Sequence, residues 1–171
     1  MTKNVFENEI TIFTPKIAGY LAFGSIGALV LNIVFAGVLG FESAFDFFGP
    51  LYRLLLIPAV AFLPAPHWAK MAGWLWILFD STLNIGGING MEQELILQLR
   101  LGIHLAFGVW AVAVGWLSSG GHRWSAFAVG IVTAGYSFVA PWVPQWVLAS
   151  TALLLMFFII MSAIKLIKVE D

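Results

Sequence analysis

The sequence predicts an all-α integral membrane protein, a compact bundle of about six transmembrane helices. Three observations carry that expectation. Of 171 residues, 61% are hydrophobic and only 10% are charged, against roughly a quarter charged in soluble domains, and the mean hydropathy is +0.95. Long apolar stretches alternate with short polar or Gly/Pro-rich breaks. Lys and Arg fall unevenly on the two sides that this alternation defines. Residues 1–16 read as an N-terminal cytoplasmic or interfacial segment, 17–168 as one transmembrane domain and 169–171 as a tail.

The polar, acidic start through Glu9 does not resemble a cleaved signal peptide, so the first apolar segment is expected to stay in the membrane. Phe6, Ile10 and Phe13 have helical spacing and suit either a short surface turn or a loose terminus. Thr14-Pro15 reads as an N-cap followed by proline at the first helical position. Segment one covers 17–39 and carries a small or polar stripe: Gly24, Ala28, Asn32, Ala36 and Gly40. Such a stripe lets a neighbouring backbone approach closely. Residues 41–49 read as an aromatic, acidic interfacial connector. Segment two, 50–64, is short and holds Pro58 as a kink.

Segment three covers 67–86 and segment four 95–117. Residues 118–123 read as a loop, and segment five, 124–140, has small residues at Ala126, Gly130 and Ala134. Pro141-Trp142-Val143-Pro144 makes a turn into segment six, 144–167. Lys3, Lys16, Lys70, Arg123, Lys165 and Lys168 then share one side with both termini, which the positive-inside rule places in the cytoplasm. Trp68, Trp116, Trp124, Trp142 and Trp146 flank helix ends, as interfacial tryptophans do. A faint repeat pairs Leu21-Ala22-Phe23-Gly24 with Leu105-Ala106-Phe107-Gly108. If genuine, it makes the bundle two inverted three-helix halves.

The chemistry lies in a polar minority. Asp80 and Asn84 are one turn apart on segment three, and Arg100 and His104 are one turn apart on segment four. At helical rise Asp80 lies about 9 Å from its segment's outer end and His104 about 13 Å from its own. Arg53 and Asn32 fall in the same outer half, and Ser150 and Thr151 reach similar levels. Charges at such depth are costly and are paired, functional or both. The candidate ligand-binding set is therefore Asn32, Arg53, Asp80, Asn84, Arg100 and His104. Asp80 and His104 are expected to share one site with Arg53 or Arg100.

No cofactor is expected. The absence of cysteine excludes disulfides, iron–sulfur clusters and Cys-ligated zinc. A single histidine within a span cannot give bis-histidine haem, and Asp80 with His104 is too few ligands for zinc. His67 and His122 read as cytoplasmic interface residues. A net charge of −1, with no basic run, excludes a nucleic-acid partner. Gly24-Ser25-Ile26-Gly27 lacks the order of a serine-nucleophile motif, and no Walker, Rossmann or zincin motif occurs, which leaves little basis for an enzyme. Two readings stand. One is a transporter or solute-binding membrane component with an outward-facing polar site for a small polar solute. The other is a structural or assembly subunit, a homo-oligomer or partner of another membrane subunit, in which the same residues are satisfied ion pairs. A cavity large enough for a solute separates the two.

Overall fold

The structure is a computed structural model that describes residues 13–143 and 151–169. Within these residues it is all-helical and without strands, in six helical segments of which the second is broken. The expectations placed on Phe6, Ile10, Pro144, Trp146 and Ser150 lie outside the described residues. Two helices are long and apolar enough to cross a bilayer, Pro15–Val38 and Gln93–Trp116.

Helix α1 (Pro15–Asn32) starts as the sequence indicates. Thr14 is extended and its hydroxyl accepts from the Ile17 amide at 3.2 Å, with Pro15 in the first turn. The helix continues as a π-helical stretch, Ile33–Val38, where the Leu39 amide bonds five residues back to the Val34 carbonyl. Helix α2 (Glu42–Leu54) begins eight residues before the expected start at Pro50 (50 − 42 = 8). The acidic connector is thus mostly helix. No proline interrupts residues 42–49, so the expected interfacial connector winds as the first turns of the helix. The chain breaks at Leu55–Leu56, because Pro58 has no amide to bond back to Leu54, and restarts as α3 (Ile57–Phe62).

Helices α4 (His67–Ile88), α5 (Gln93–Trp116), α6 (Gly120–Val139) and α7 (Thr151–Ile167) follow. Helix α6 starts inside the expected 118–123 loop. Gly120, at φ +61°, makes the turn tight enough for the helix to begin there. The long helices form a closed ring in chain order, α1–α2–α4–α5–α6–α7, and α7 packs back on α1. The break in the second segment diverts α3 inward, where it packs against α1, α4 and α7 and buries Pro58, Ala59 and Val60. From α4, Trp74 Nε1 donates to the Ile57 carbonyl at 3.2 Å and Lys70 Nζ donates to the Ala61 carbonyl. Phe107, Trp110 and Phe158 fill the centre of the ring, with Phe107 and Trp110 centroids 5.8 Å apart and Trp110 and Phe158 5.7 Å apart.

Close helix contact occurs at some of the expected positions and misses others. Gly108 and Gly130 oppose each other across α5 and α6. A Cβ on Gly108 would lie 2.7 Å from the Gly130 carbonyl oxygen, and one on Gly130 would lie 2.9 Å from the Val112 amide nitrogen. On α1 the close approach is at Gly19, whose added Cβ would meet the Ala163 carbonyl at 2.9 Å. Gly24 is exposed, and its nearest neighbour is Leu55 Cδ1 at 3.7 Å. The buried face of α1 runs through Ala18, Ala22, Ser25, Ala28 and Asn32, so Gly24 lies beside the contact stripe. The two glycines of the repeated tetrapeptide therefore occupy unlike environments.

His122 is buried between α6 and α7 and not at an interface with solvent. Its Nδ1 is 2.9 Å from Ser118 Oγ and its Nε2 is 3.0 Å from Ser162 Oγ. The Ser162 hydroxyl donates to the Phe158 carbonyl, so Nε2 carries the proton. Lys165 Nζ donates to Ser118 Oγ at 3.2 Å, which leaves the Ser118 proton for Nδ1. A neutral imidazole thus ties the α5–α6 turn to α7.

Replacing Gly130 by leucine is expected to lower the melting temperature in detergent sharply, since backbone lies where the side chain must go. Gly24→Leu is expected to leave it nearly unchanged. Equal effects of the two would contradict the helix contacts described.

Candidate functional site

The site is built around Asp80, whose carboxylate is fully buried on the inner face of α4. Arg53 Nη2 from α2 lies 2.7 Å from Asp80 Oδ2. Arg100 Nε from α5 donates to Oδ1 at 2.8 Å. His104 Nε2, one turn further along α5, lies 3.7 Å from Oδ2. Three helices thus converge on one carboxylate. Arg100 also donates through Nη2 to Asn84 Oδ1 at 2.5 Å, so its planar guanidinium clamps both polar residues of α4. The spacing of four seen in the sequence explains the match: Asp80/Asn84 and Arg100/His104 each present a one-turn pair to the neighbouring helix.

Glycine lets α2 come near enough. A Cβ on Gly49 would lie 2.4 Å from Asn84 Nδ2 and 3.3 Å from Arg53 Nη1. Gly49 therefore seats the Arg53-bearing turn against Asn84. Arg53 is 4% exposed, and its guanidinium lies over the Tyr52 ring at 4.6 Å. Its contact with Asp80 Oδ2 is ionic but out of line for a hydrogen bond, and its Nε and Nη1 have no partner.

A cavity of about 710 Å³ adjoins this cluster. It lies at the end of the ring opposite Lys16, Lys70, Arg123 and Lys165. Arg53, Arg100, His104 and Asn32 line it, while Asp80 and Asn84 stand behind the wall and hold the two arginines. The six sequence candidates are thus brought together, in two tiers. The walls add Tyr52, Trp76, Gln98, Thr133 and Tyr136, and Glu94 lies exposed among the lining residues. Thr151 lines the cavity too. Trp76 and Phe107, whose rings are 4.5 Å apart, join its lining to the aromatic centre of the ring.

Of these additions, Trp76 was legible in sequence, four residues before Asp80 and on the same face. Tyr52 adjoins Arg53 in sequence. Tyr136 and Thr133 come from α6, which carries no charge near them, and only the closure of the ring brings them in. Ser25 is buried on α1, bonds to nothing and does not line the cavity. Both Asp80 oxygens face guanidinium nitrogens, and among the described residues no group of three metal-ligating side chains forms.

Several wall residues hold buried polar atoms without a partner: Asn32 Oδ1, Arg53 Nε and Nη1, Trp76 Nε1 and His104 Nδ1. Each such atom costs about 1–3 kcal/mol if left unsatisfied. These atoms have no accessible surface of their own, so they lie beneath the cavity wall and not on it.

Asp80→Asn removes the one charge among the described residues that Arg53 contacts and is expected to destabilise the protein by about 3–5 kcal/mol, the range for breaking a buried ion pair. Thermal unfolding in detergent measures it. A loss below about 1 kcal/mol would place Asp80 among screened surface pairs, contrary to its burial.

No family model matches the chain, nor does any characterised protein or solved structure, so the site is interpreted from its own geometry.

Proposed function

We propose that this chain is a multi-pass membrane protein that binds or transports a small polar solute through a cavity open to the outer side. The observation that carries this reading is the cavity of about 710 Å³ beside buried Arg53. Its volume is in the range of small-molecule sites. A purely structural cluster would be expected to close on itself, with its donors and acceptors matched. Here the ion pairs leave unpartnered polar atoms in the residues that wall a void.

The bilayer setting is supported by the outward faces. Tyr20 and Phe23 on α1, Leu75 and Leu78 on α4, Leu105 on α5, Ile131 and Phe138 on α6, and Leu153 and Phe157 on α7 are all exposed. Apolar exposure around a whole ring exceeds what a water-soluble monomer carries. Trp68, Trp116, Trp124 and Trp142 are largely exposed near helix ends, in keeping with an aromatic belt. Lys16, Lys70, Arg123 and Lys165 mark the end away from the cavity, which under the positive-inside rule supports cytoplasmic termini and an outward cavity.

The chain has no cysteine, so single-cysteine labelling is direct. Thr133→Cys, in the cavity wall, is expected to react with a membrane-impermeant thiol reagent applied outside intact cells. Ser119→Cys, in the turn before α6, is expected to react only after the cells are opened. Protection of Thr133→Cys together with external labelling of Ser119→Cys would overturn both the orientation and the outward cavity.

A further inference from the structure

Resting on the solute-binding reading above, we propose that the solute is an uncharged molecule with a hydrogen-bonding head and an apolar body, and that Thr133 and Tyr136 on α6 hold the head. With histidine counted as neutral, the ionised groups of the cavity lining and of the tier behind it are Arg53, Arg100, Asp80 and Glu94, two of each sign. Arg53 and Arg100 both meet Asp80, at 2.7 and 2.8 Å, and Arg100 also donates to Asn84. Glu94 is exposed in the first turn of α5, where Gln98 Nε2 donates to it at 3.4 Å. A charged solute entering the cavity would shed its water without gaining a counter-charge that is free to receive it. An ammonium could pair with Glu94, but only at an exposed carboxylate, where water screens the pair.

The unengaged polar groups that a solute can touch are uncharged. Thr133 and Tyr136 are three residues apart on α6, so they share a face, and both line the cavity. Both are half-buried, and their hydroxyls bond to no described residue. Neither hydroxyl is among the fully buried unpartnered atoms, so each keeps surface of its own. The Tyr136 ring lies 5.9 Å from that of His104, yet its hydroxyl takes no part in the bonds around Asp80. A hydroxyl both donates and accepts, so this pair suits an amide, a carbonyl or an alcohol. Much of the remaining wall is apolar: Leu29, Leu101, Phe107 and Leu155 line it from α1, α5 and α7. That surface suits a hydrocarbon or aromatic body better than a charge.

The test is calorimetric titration of the full chain in lipid nanodiscs, with the heats of empty nanodiscs subtracted, using three probes of one shape: phenylacetamide, phenylacetate and phenethylammonium. Phenylacetamide is expected to bind at least about tenfold more tightly than either ion. Tyr136→Phe and Thr133→Val keep the shape of the wall and remove one hydroxyl each. Each is expected to weaken phenylacetamide binding by about three- to tenfold, the range for one hydrogen bond. Ala152→Trp fills the cavity from α7, which gives Asp80 no partner, and is expected to remove binding of phenylacetamide. Equal or tighter binding of either ion would overturn the uncharged assignment while leaving a solute cavity standing. Unchanged phenylacetamide affinity in both hydroxyl variants would overturn the role of Thr133 and Tyr136. Retained binding in folded Ala152→Trp would place the probe outside the cavity and overturn the site. Failure of all three probes to bind the unaltered chain would overturn the solute-binding reading itself. Should the variants not fold, the three-probe comparison on the unaltered chain decides the uncharged assignment alone.

Discussion

One buried carboxylate organises this protein. Asp80 has no exposure, and helices α2, α4 and α5 meet because each contributes a group to it or carries it. Removing charges from water is costly, and the cost is recovered only when partners approach within hydrogen-bond distance. That requirement fixes the relative height of the three helices. Arg100 reaches Asp80 and Asn84 together, so α5 cannot slide by a turn without losing one contact. Gly49 in turn sets how near α2 can stand.

The ring and the cavity follow from how the remaining volume is filled. At the lysine-bearing end, α3 turns inward, and at the centre Phe107, Trp110 and Phe158 interlock. At the other end no described helix lies inside the ring. The side chains there do not meet across the ring, and the space between α1, α5, α6 and α7 stays open. The Pro58 break thus has a consequence beyond its own segment. A straight second helix would leave α3's volume to be filled some other way. The His122 relay works at the closed end, joining the α5–α6 turn to α7 through two serines.

The division between inner and outer tiers shapes the chemistry that the site can perform. Asp80 and Asn84 position; Arg53, Arg100 and His104 face the cavity. The Asp80 carboxylate behind Arg53 and Arg100 tempers their field from the protein interior. This arrangement holds Arg53 in the protein interior, where unpaired it would be too costly to bury. It leaves the Arg53 fork incompletely used.

The sequence alone determined the helical segments, because apolar stretches bounded by Pro and Gly are local signals. It also determined that Asp80, Asn84, Arg100 and His104 belong together, because a spacing of four on consecutive helices is legible without coordinates. The start of α2 at Glu42 escaped it, since an aromatic, acidic run reads as an interfacial connector and Pro50 as the first residue of a helix. The tight glycine of α1 escaped it too: Gly19 and Gly24 are alike as residues, and only the path of α7 across Gly19 distinguishes them. Which side chains face the cavity and which stand behind it was decided by tertiary structure alone. Burial depends on the rotation of each helix about its axis, and that rotation is set by the summed contacts of the closed ring.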